Sequence, residues 1–138
     1  MGAVVDTSVL IDLECDPSTA SRLPEGHYYV SLVSLAELQV GVEYGVGAQR
    51  VRREAFWELV CREFEVVTPS LAIAKRVGHI THALQIAGKL IGSHDLWIAA
   101  TALELGEPVL TADVQDFARV PGLAVVPWVA SRGTAQRP

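Results

Sequence analysis

Five short strand-like runs are strung along this chain with helical segments between them, and that alternation constrains the fold more than any other feature. The runs are Ala3 to Val5, His27 to Ser31, Phe64 to Val67, Val109 to Thr111 and Leu123 to Val126. Most are continuous apolar stretches, which is how strands covered on both faces read. Between the first two, Ser8 to Glu14 carries Val9, Leu10 and Leu13 at helical spacing, and Cys15 to Gly26 is turn-rich, with Asp-Pro and Leu-Pro steps. Ser34 and Glu37 have the spacing of a capping box, opening a helix with Leu35, Leu38 and Val42 on one stripe that ends near Gly45. Gly47 to Glu63 predicts a second helix, with Val51, Ala55 and Leu59 inward, so these two helices form a hairpin. A long helix follows Pro69-Ser70, striped by Ile73, Val77, Ile80, Leu84 and Ala87 and ended by Gly88. Ser93 caps the next, DLWIAATALEL, which stops at Gly106 and is apolar almost all round, as a buried central helix is. Asp113 to Ala118 is a short helical turn. Strands alternating with helices in this way predict an α/β domain on a parallel sheet.

The 138 residues are half hydrophobic, enough for one domain with a real core. That domain is expected over residues 1–130, with a flexible tail from Ser131. No stretch approaches the apolar length of a membrane span, and no basic segment precedes an apolar leader, so a cytoplasmic location and no membrane partner are expected. Cys15 and Cys61 have no zinc or redox spacing and are expected to be reduced, mostly buried thiols. A formal net charge of -5 argues against nucleic-acid binding through bulk charge but leaves room for a local basic strip.

In a parallel sheet, ligands bind beyond the carboxyl ends of the strands. The residues that follow the strands are acidic. Asp6 follows AVV, and Asp113 and Asp116 follow PVLTA. Asp95 opens the buried helix, and Glu37 lies in the first turn of another. Each has an ordinary use. Asp95 can complement a helix dipole, Glu37 can close the box with Ser34, Asp113 can cap its short helix, and Asp116 can be a solvated loop acid. Asp6 is harder to explain, because Thr7 or Ser8 would cap that helix equally well. Gly41, one turn beyond Glu37, leaves room beside that carboxylate. Clustered carboxylates raise one another's pKa, and a hard divalent cation relieves them. Magnesium or manganese suits carboxylate oxygen, whereas the lack of a dense His or Cys set argues against zinc. The chemistry that follows is metal-assisted phosphodiester hydrolysis.

The segments VVDTSVLIDL, SLAELQVGV, SHDLWIAATAL and LTADVQDF, in this order and over nearly the whole chain, resemble the PIN-domain family, specifically the VapC-type toxins of bacterial toxin–antitoxin pairs. The resemblance implies a single PIN-like domain, a short central parallel sheet flanked by helices with a protruding helical hairpin. It implies a metal-dependent ribonuclease with Asp6 and Asp95 as leading magnesium ligands, completed by Glu37 and an acid of ADVQDF. Where this chain has Asp113 the family often has Asn, with the acid at the position of Asp116; here both are acids, and Asp116 is slightly favoured as the ligand. Thr7 or Ser8 could orient Asp6 or a bound water. The resemblance also implies a homodimer held inactive by a cognate antitoxin, whose C-terminal segment lies near the acids. Leu38, Val42, Tyr44, Phe56 and Trp57 are candidates for that surface or the dimer contact, although core packing explains most of them.

Arg50, Arg52 and Arg53 could hold RNA phosphates, but a solvated, salt-bridged helix face is the simpler expectation for RVRRE. Lys75, Arg76, Lys89 and Arg119 are the other candidates for a basic strip. His79 and His82 lack a third metal ligand nearby, His94 stands beside Asp95, and Trp97 and Trp128 suit packing better than base stacking. A haloacid-dehalogenase-type phosphatase also places Asp after its first strand, yet needs a second acid where this chain has Ser8. A phospho-accepting receiver module needs a lysine after its last strand, where this chain reads LAVVPWVAS. A fold that only binds RNA would not need the full acid set.

Overall fold

The computed structural model of the protein describes residues 2–130; the tail expected from Ser131 lies outside the described residues. Five strands form one sheet: β1 (Gly2–Val5), β2 (His27–Ser31), β3 (Glu65–Val67), β4 (Val109–Thr111) and β5 (Val125–Pro127). Their order is β3-β2-β1-β4-β5, and every neighbouring pair is parallel. β1 is therefore central, and the chain turns to opposite sides of it to build β2 and β4. The crevice beyond the carboxyl ends of β1 and β4 is the switch point where such sheets bind ligands.

Both faces of the sheet are covered. Ala3 and Val5 point to one core with Val9, Leu10, Leu35, Val60 and Leu110, while Val4 and Val109 point to the other with Ile73, Ile80, Leu84, Ile98 and Phe117. This is the two-residue alternation of a strand read against two apolar layers, and it explains why β1 has no polar side. Each buried valine or leucine contributes about 1.5–3 kcal/mol. Strands this short are held by their covering helices more than by their own ladders.

The helices are α1 (Thr7–Cys15), α2 (Leu32–Tyr44), α3 (Gly47–Glu63), α4 (Leu71–Ala87), α5 (Ser93–Leu105) and α6 (Val114–Phe117), with a 3-10 turn at Pro17–Arg22. Gly88 and Gly106 end α4 and α5 in the left-handed conformation at φ 66° and 68°, as expected of glycine C-caps. In α5, Leu96 and Ile98 to Ala102 are buried, so this helix is the central one. α4 buries Ile73, Ile80 and Leu84, but Ala87 at its end is exposed. No helix among the described residues is long and apolar enough to cross a membrane.

Four expectations are corrected. α3 does not face inward through Val51, Ala55 and Leu59, which are exposed; Arg53 and Val60 are buried, and Phe56 and Trp57 are partly so. The 3.6-residue period fits both stripes, and the aromatic one covers more apolar area. α2 starts at Leu32 with Ser31 as its N-cap, not at Ser34, because Ser31 Oγ already accepts from the Val33 amide at 3.2 Å. Ser93 is the first residue of α5 rather than its cap, which is Gly92. Cys15 is exposed and Cys61 half-buried, so neither is a core thiol.

The α2–α3 hairpin is tied by two side chains of α3 on carbonyls of α2. Trp57 Nε1 donates to the Leu35 carbonyl at 3.0 Å and Arg53 Nη1 to the Gly41 carbonyl at 2.6 Å. Gly41 thus belongs to the hairpin contact, not to open space beside Glu37.

Candidate active site

Asp6 directly follows β1 and occupies the N-cap position of α1, yet its side chain makes no capping bond. Its Oδ2 instead accepts from Ser8 Oγ at 2.7 Å and from Thr111 Oγ1 at 2.8 Å. Each hydroxyl in turn accepts a backbone amide, Ser8 from Ala112 at 3.1 Å and Thr111 from Asp113 at 2.8 Å. An occupied lone pair leaves each hydroxyl its proton to give, so the amides aim both hydroxyls at the same carboxylate oxygen. Burial raises the Asp6 pKa above the ordinary carboxylate value, and the Ser8 and Thr111 hydroxyls partly offset that rise.

Glu37 is fixed from two sides. Because α2 begins one turn earlier than the capping-box reading supposes, Ser34 is buried within the helix and Glu37 turns toward α1. Thr7 Oγ1 lies 2.7 Å from Glu37 Oε1 and 2.9 Å from Ser34 Oγ. A hydroxyl has one proton and an ionised carboxylate only accepts, so Thr7 donates to Glu37 and Ser34 supplies the other bond. On the far side, His94 Nδ1 stands 3.4 Å from Glu37 Oε2. The two residues expected to orient Asp6 thus divide the work: Ser8 holds Asp6 and Thr7 holds Glu37.

Asp95 enters from the first turn of α5, and Asp113 and Asp116 from the start of α6. One carboxylate oxygen of each lies within 4.8 Å of the others, so both acids of ADVQDF join Asp95. Burial pushes the Asp95 pKa up to about 7, and the charges of Asp6, Asp113, Glu37 and Asp116 add to it. Asp113 is raised by burial and by Asp116, while Arg119 pulls it back. Asp113 and Asp116 thus stand against Asp95, and the charges of Asp6 and Glu37 bear on it.

A match to the PIN domain family model spans residues 3–123 of this chain. The chain belongs to this family. Over 128 residues, this PIN domain is 35% identical to Ribonuclease VapC1 of Rickettsia felis, covering 91% of this chain and 96% of that protein. It superposes on the crystal structure of VapBC-5 from Mycobacterium tuberculosis, a member of the VapBC family of toxin–antitoxin systems. There the TM-score is 0.76 at 30% identity, over 92% of this chain and 98% of that one. Its fold also matches VapBC2 from Rickettsia felis, solved bound to a DNA fragment from its promoter. That TM-score is 0.82 at 22% identity, over 93% and 99% of the two chains.

The acid set of this PIN domain fits a hard divalent cation. Its donors are carboxylate oxygens, three converge within one ion's reach, and their charges repel until a cation joins them. Two contributors lie outside the acid pattern read from the sequence. Thr111 ends β4, and Ser34 sits inside α2. The sequence signal for Thr111 is a lone hydroxyl in an apolar stretch, which in a buried setting demands a polar partner, and for Ser34 it is the three-residue spacing to Glu37, read there as a cap. Other candidates lie elsewhere. Arg53 is buried, with its Nε 3.4 Å from Glu14 Oε1, so it is neither an RNA contact nor part of a solvated face. Arg50 pairs with Glu43 and Glu54 on the surface, as expected. Trp128 is buried and donates to Asp12 Oδ2 at 2.8 Å, and Trp97 packs against the α4–α5 core. His79 and His82 are exposed on α4.

Proposed function

We propose that this PIN domain is a metal-dependent endoribonuclease acting as the toxin of a toxin–antitoxin pair. The observation that carries the reading is the grouping of Asp113 and Asp116 with a half-buried Asp95, one carboxylate oxygen of each within 4.8 Å of the others, with the charges of Asp6 and Glu37 bearing on Asp95. An acid set so strained has no structural use, whereas a divalent cation turns the repulsion into affinity. The names of the VapC relatives supply the substrate class, and the VapBC complexes supply the partner, a cognate antitoxin. Ser8, where a dehalogenase-type phosphatase carries its second acid, is occupied in orienting Asp6.

Magnesium, or manganese in its place, would be held by Asp6, Asp95, Glu37 and Asp116, with Asp113 beside them, and would supply an activated water and neutralise charge on the phosphodiester. The protein's own part is positioning. Ser8 and Thr111 fix Asp6 through one oxygen, Thr7 and His94 hold Glu37, and the end of α5 presents Asp95 between them. The site lies beyond the carboxyl ends of the interior strands β1 and β4, where a parallel sheet presents ligands. A homodimer is part of this reading, as is an antitoxin segment near the acids. Of the five hairpin candidates, Leu38 and Val42 are core, Phe56 and Trp57 are partly buried, and Tyr44 is the one left well exposed.

The test is cleavage of total RNA by the chain freed of antitoxin. We expect cleavage in Mg²⁺ or Mn²⁺, its loss in chelator, and its loss in Asp6→Ala and Asp95→Ala. Expression should be toxic only with both aspartates intact. Cleavage surviving both substitutions and chelator would sink the assignment.

A further inference from the structure

Resting on the ribonuclease reading, we propose that Arg119 contacts the substrate, holding an RNA backbone phosphate at the rim of the acid cluster. A chain with a net charge of -5 and an acidic site must draw a polyanion by local cations. Most of the arginines among the described residues are committed elsewhere. Arg22 holds the Val129 carbonyl and lies over the Trp128 ring, Arg50 pairs with Glu43 and Glu54, Arg53 is buried against Glu14, and Arg76 pairs with Glu104.

Arg119 follows α6, the helix that carries Asp116. Its two recorded contacts both run through Nη1, one to the Leu90 carbonyl at 3.3 Å and one to Asp116 Oδ1 at 3.8 Å. The second is too long for a charge-assisted hydrogen bond, which closes to about 2.7–2.9 Å, so Asp116 does not saturate the guanidinium. The Nε–Nη2 edge is the fork that matches two oxygens of a phosphate, and the side chain is 32% exposed. The Leu90 bond steers that fork by anchoring the other end of the group. It also ties the loop between α4 and α5 to the end of α6.

The experiment measures binding of a fluorescein-labelled, mixed-sequence single-stranded RNA to the full chain in an Asp95→Asn background, across 50–200 mM salt. Arg119→Gln keeps a donor for the Leu90 carbonyl but removes the charge. It should weaken binding roughly five- to tenfold and lower the slope of log affinity against log salt by about 0.7, the share of one phosphate contact on a single strand. Arg119→Lys should restore the slope and only part of the affinity. Unchanged affinity and slope in Arg119→Gln would overturn the proposal, and a lowered Tm alone would mark Arg119 as a brace. With Asp95 intact, metal-dependent RNA cleavage by the wild-type chain keeps the ribonuclease reading whichever way Arg119 falls. Its absence overturns both.

Discussion

Among the buried charges of the described residues, two groups are treated in opposite ways. Below the hairpin, Glu14 of α1 and Arg53 of α3 are each about one-twentieth exposed and face each other at 3.4 Å, with Arg53 also bonded to the Gly41 carbonyl. At the carboxyl edge of the sheet, acids gather around Asp95 and repel one another, and burial adds to the strain. The first group is neutralised from within and joins three helices. The second is held by hydroxyls, which fix its geometry but cancel no charge. A buried pair of opposite sign is complete as folded; a buried set of one sign is complete only with a ligand. Complementarity, not burial, separates the structural charge from the functional one.

The largest effect should come from removing a central acid. Asp95→Asn should lower RNA cleavage by about 10³-fold or more, since the charge stabilisation it anchors amounts to several kcal/mol. The same substitution should raise the Tm of the metal-free protein at pH 8, because it relieves repulsion. A fall in metal-free Tm would break the contrast, since it would make Asp95 a structural charge like Glu14.

The buried pair should respond in reverse. Arg53→Ala removes the buried cation 3.4 Å from Glu14 and should cost about 3–5 kcal/mol in urea unfolding, with cleavage per folded molecule unchanged. Replacing both, Arg53→Met with Glu14→Leu, should recover most of that loss. If the double variant is as unstable as the single one, the pair is not a self-contained unit.

Arg53 also marks where sequence reading stops. The order of strands, the parallel sheet, the central α5 and all the acids follow from local pattern, because strand ends and helix starts have local signals. The inward face of α3 does not, since Val51, Ala55 and Leu59 satisfy the helical period as well as Arg53, Phe56, Trp57 and Val60 do. Only the neighbours, Gly41 and Glu14, decide between them, and they are distant in sequence. The capping box failed for a related reason. Ser31 and Ser34 both stand before an apolar helix, and the earlier serine took the cap, leaving Glu37 for Thr7. The acids were legible as a set, and so were the α1 hydroxyls Thr7 and Ser8; the hydroxyls of Thr111 in β4 and Ser34 in α2 that join them were not.

A smaller, graded contrast is expected from pH. Asp95 has a folded pKa of about 7 against 3.8 for an aspartate in water, so between these values the folded chain keeps a proton that the unfolded chain has lost. Metal-free stability should therefore fall as pH rises from about 4 to about 7, then level off. Magnesium competes with that proton, so its affinity should climb over the same window, and saturating magnesium should flatten the stability profile. Urea melts at several pH values, with and without magnesium, read both effects. Asp95→Asn should shrink the slope to what the also-raised Asp6 and Asp113 contribute, and the Arg53→Met, Glu14→Leu variant should keep it in full. Metal-free stability that instead rises through this window would contradict the raised pKa.

The finest test separates holding a charge from neutralising it. Thr111→Val removes one of two hydroxyls from Asp6 Oδ2 while keeping the shape and the β4 register. A hydrogen bond to a charged group contributes about 1.5–3 kcal/mol, and Ser8 remains on the same oxygen, so the loss should fall at the lower end. Without the Thr111 donor the Asp6 carboxyl is pushed further up, and the proton competes better with a cation. The magnesium concentration for half-maximal cleavage should rise about tenfold, while the rate at saturating magnesium stays within about twofold. Removing Ser8 as well should raise it further, by more than the two single effects together, because the second loss leaves the carboxylate with no hydroxyl to aim it. If Thr111→Val instead lowers the saturated rate and leaves the magnesium dependence alone, the hydroxyl acts on the reacting groups rather than on Asp6. The hydroxyl frame would then be part of the chemistry and not only its support.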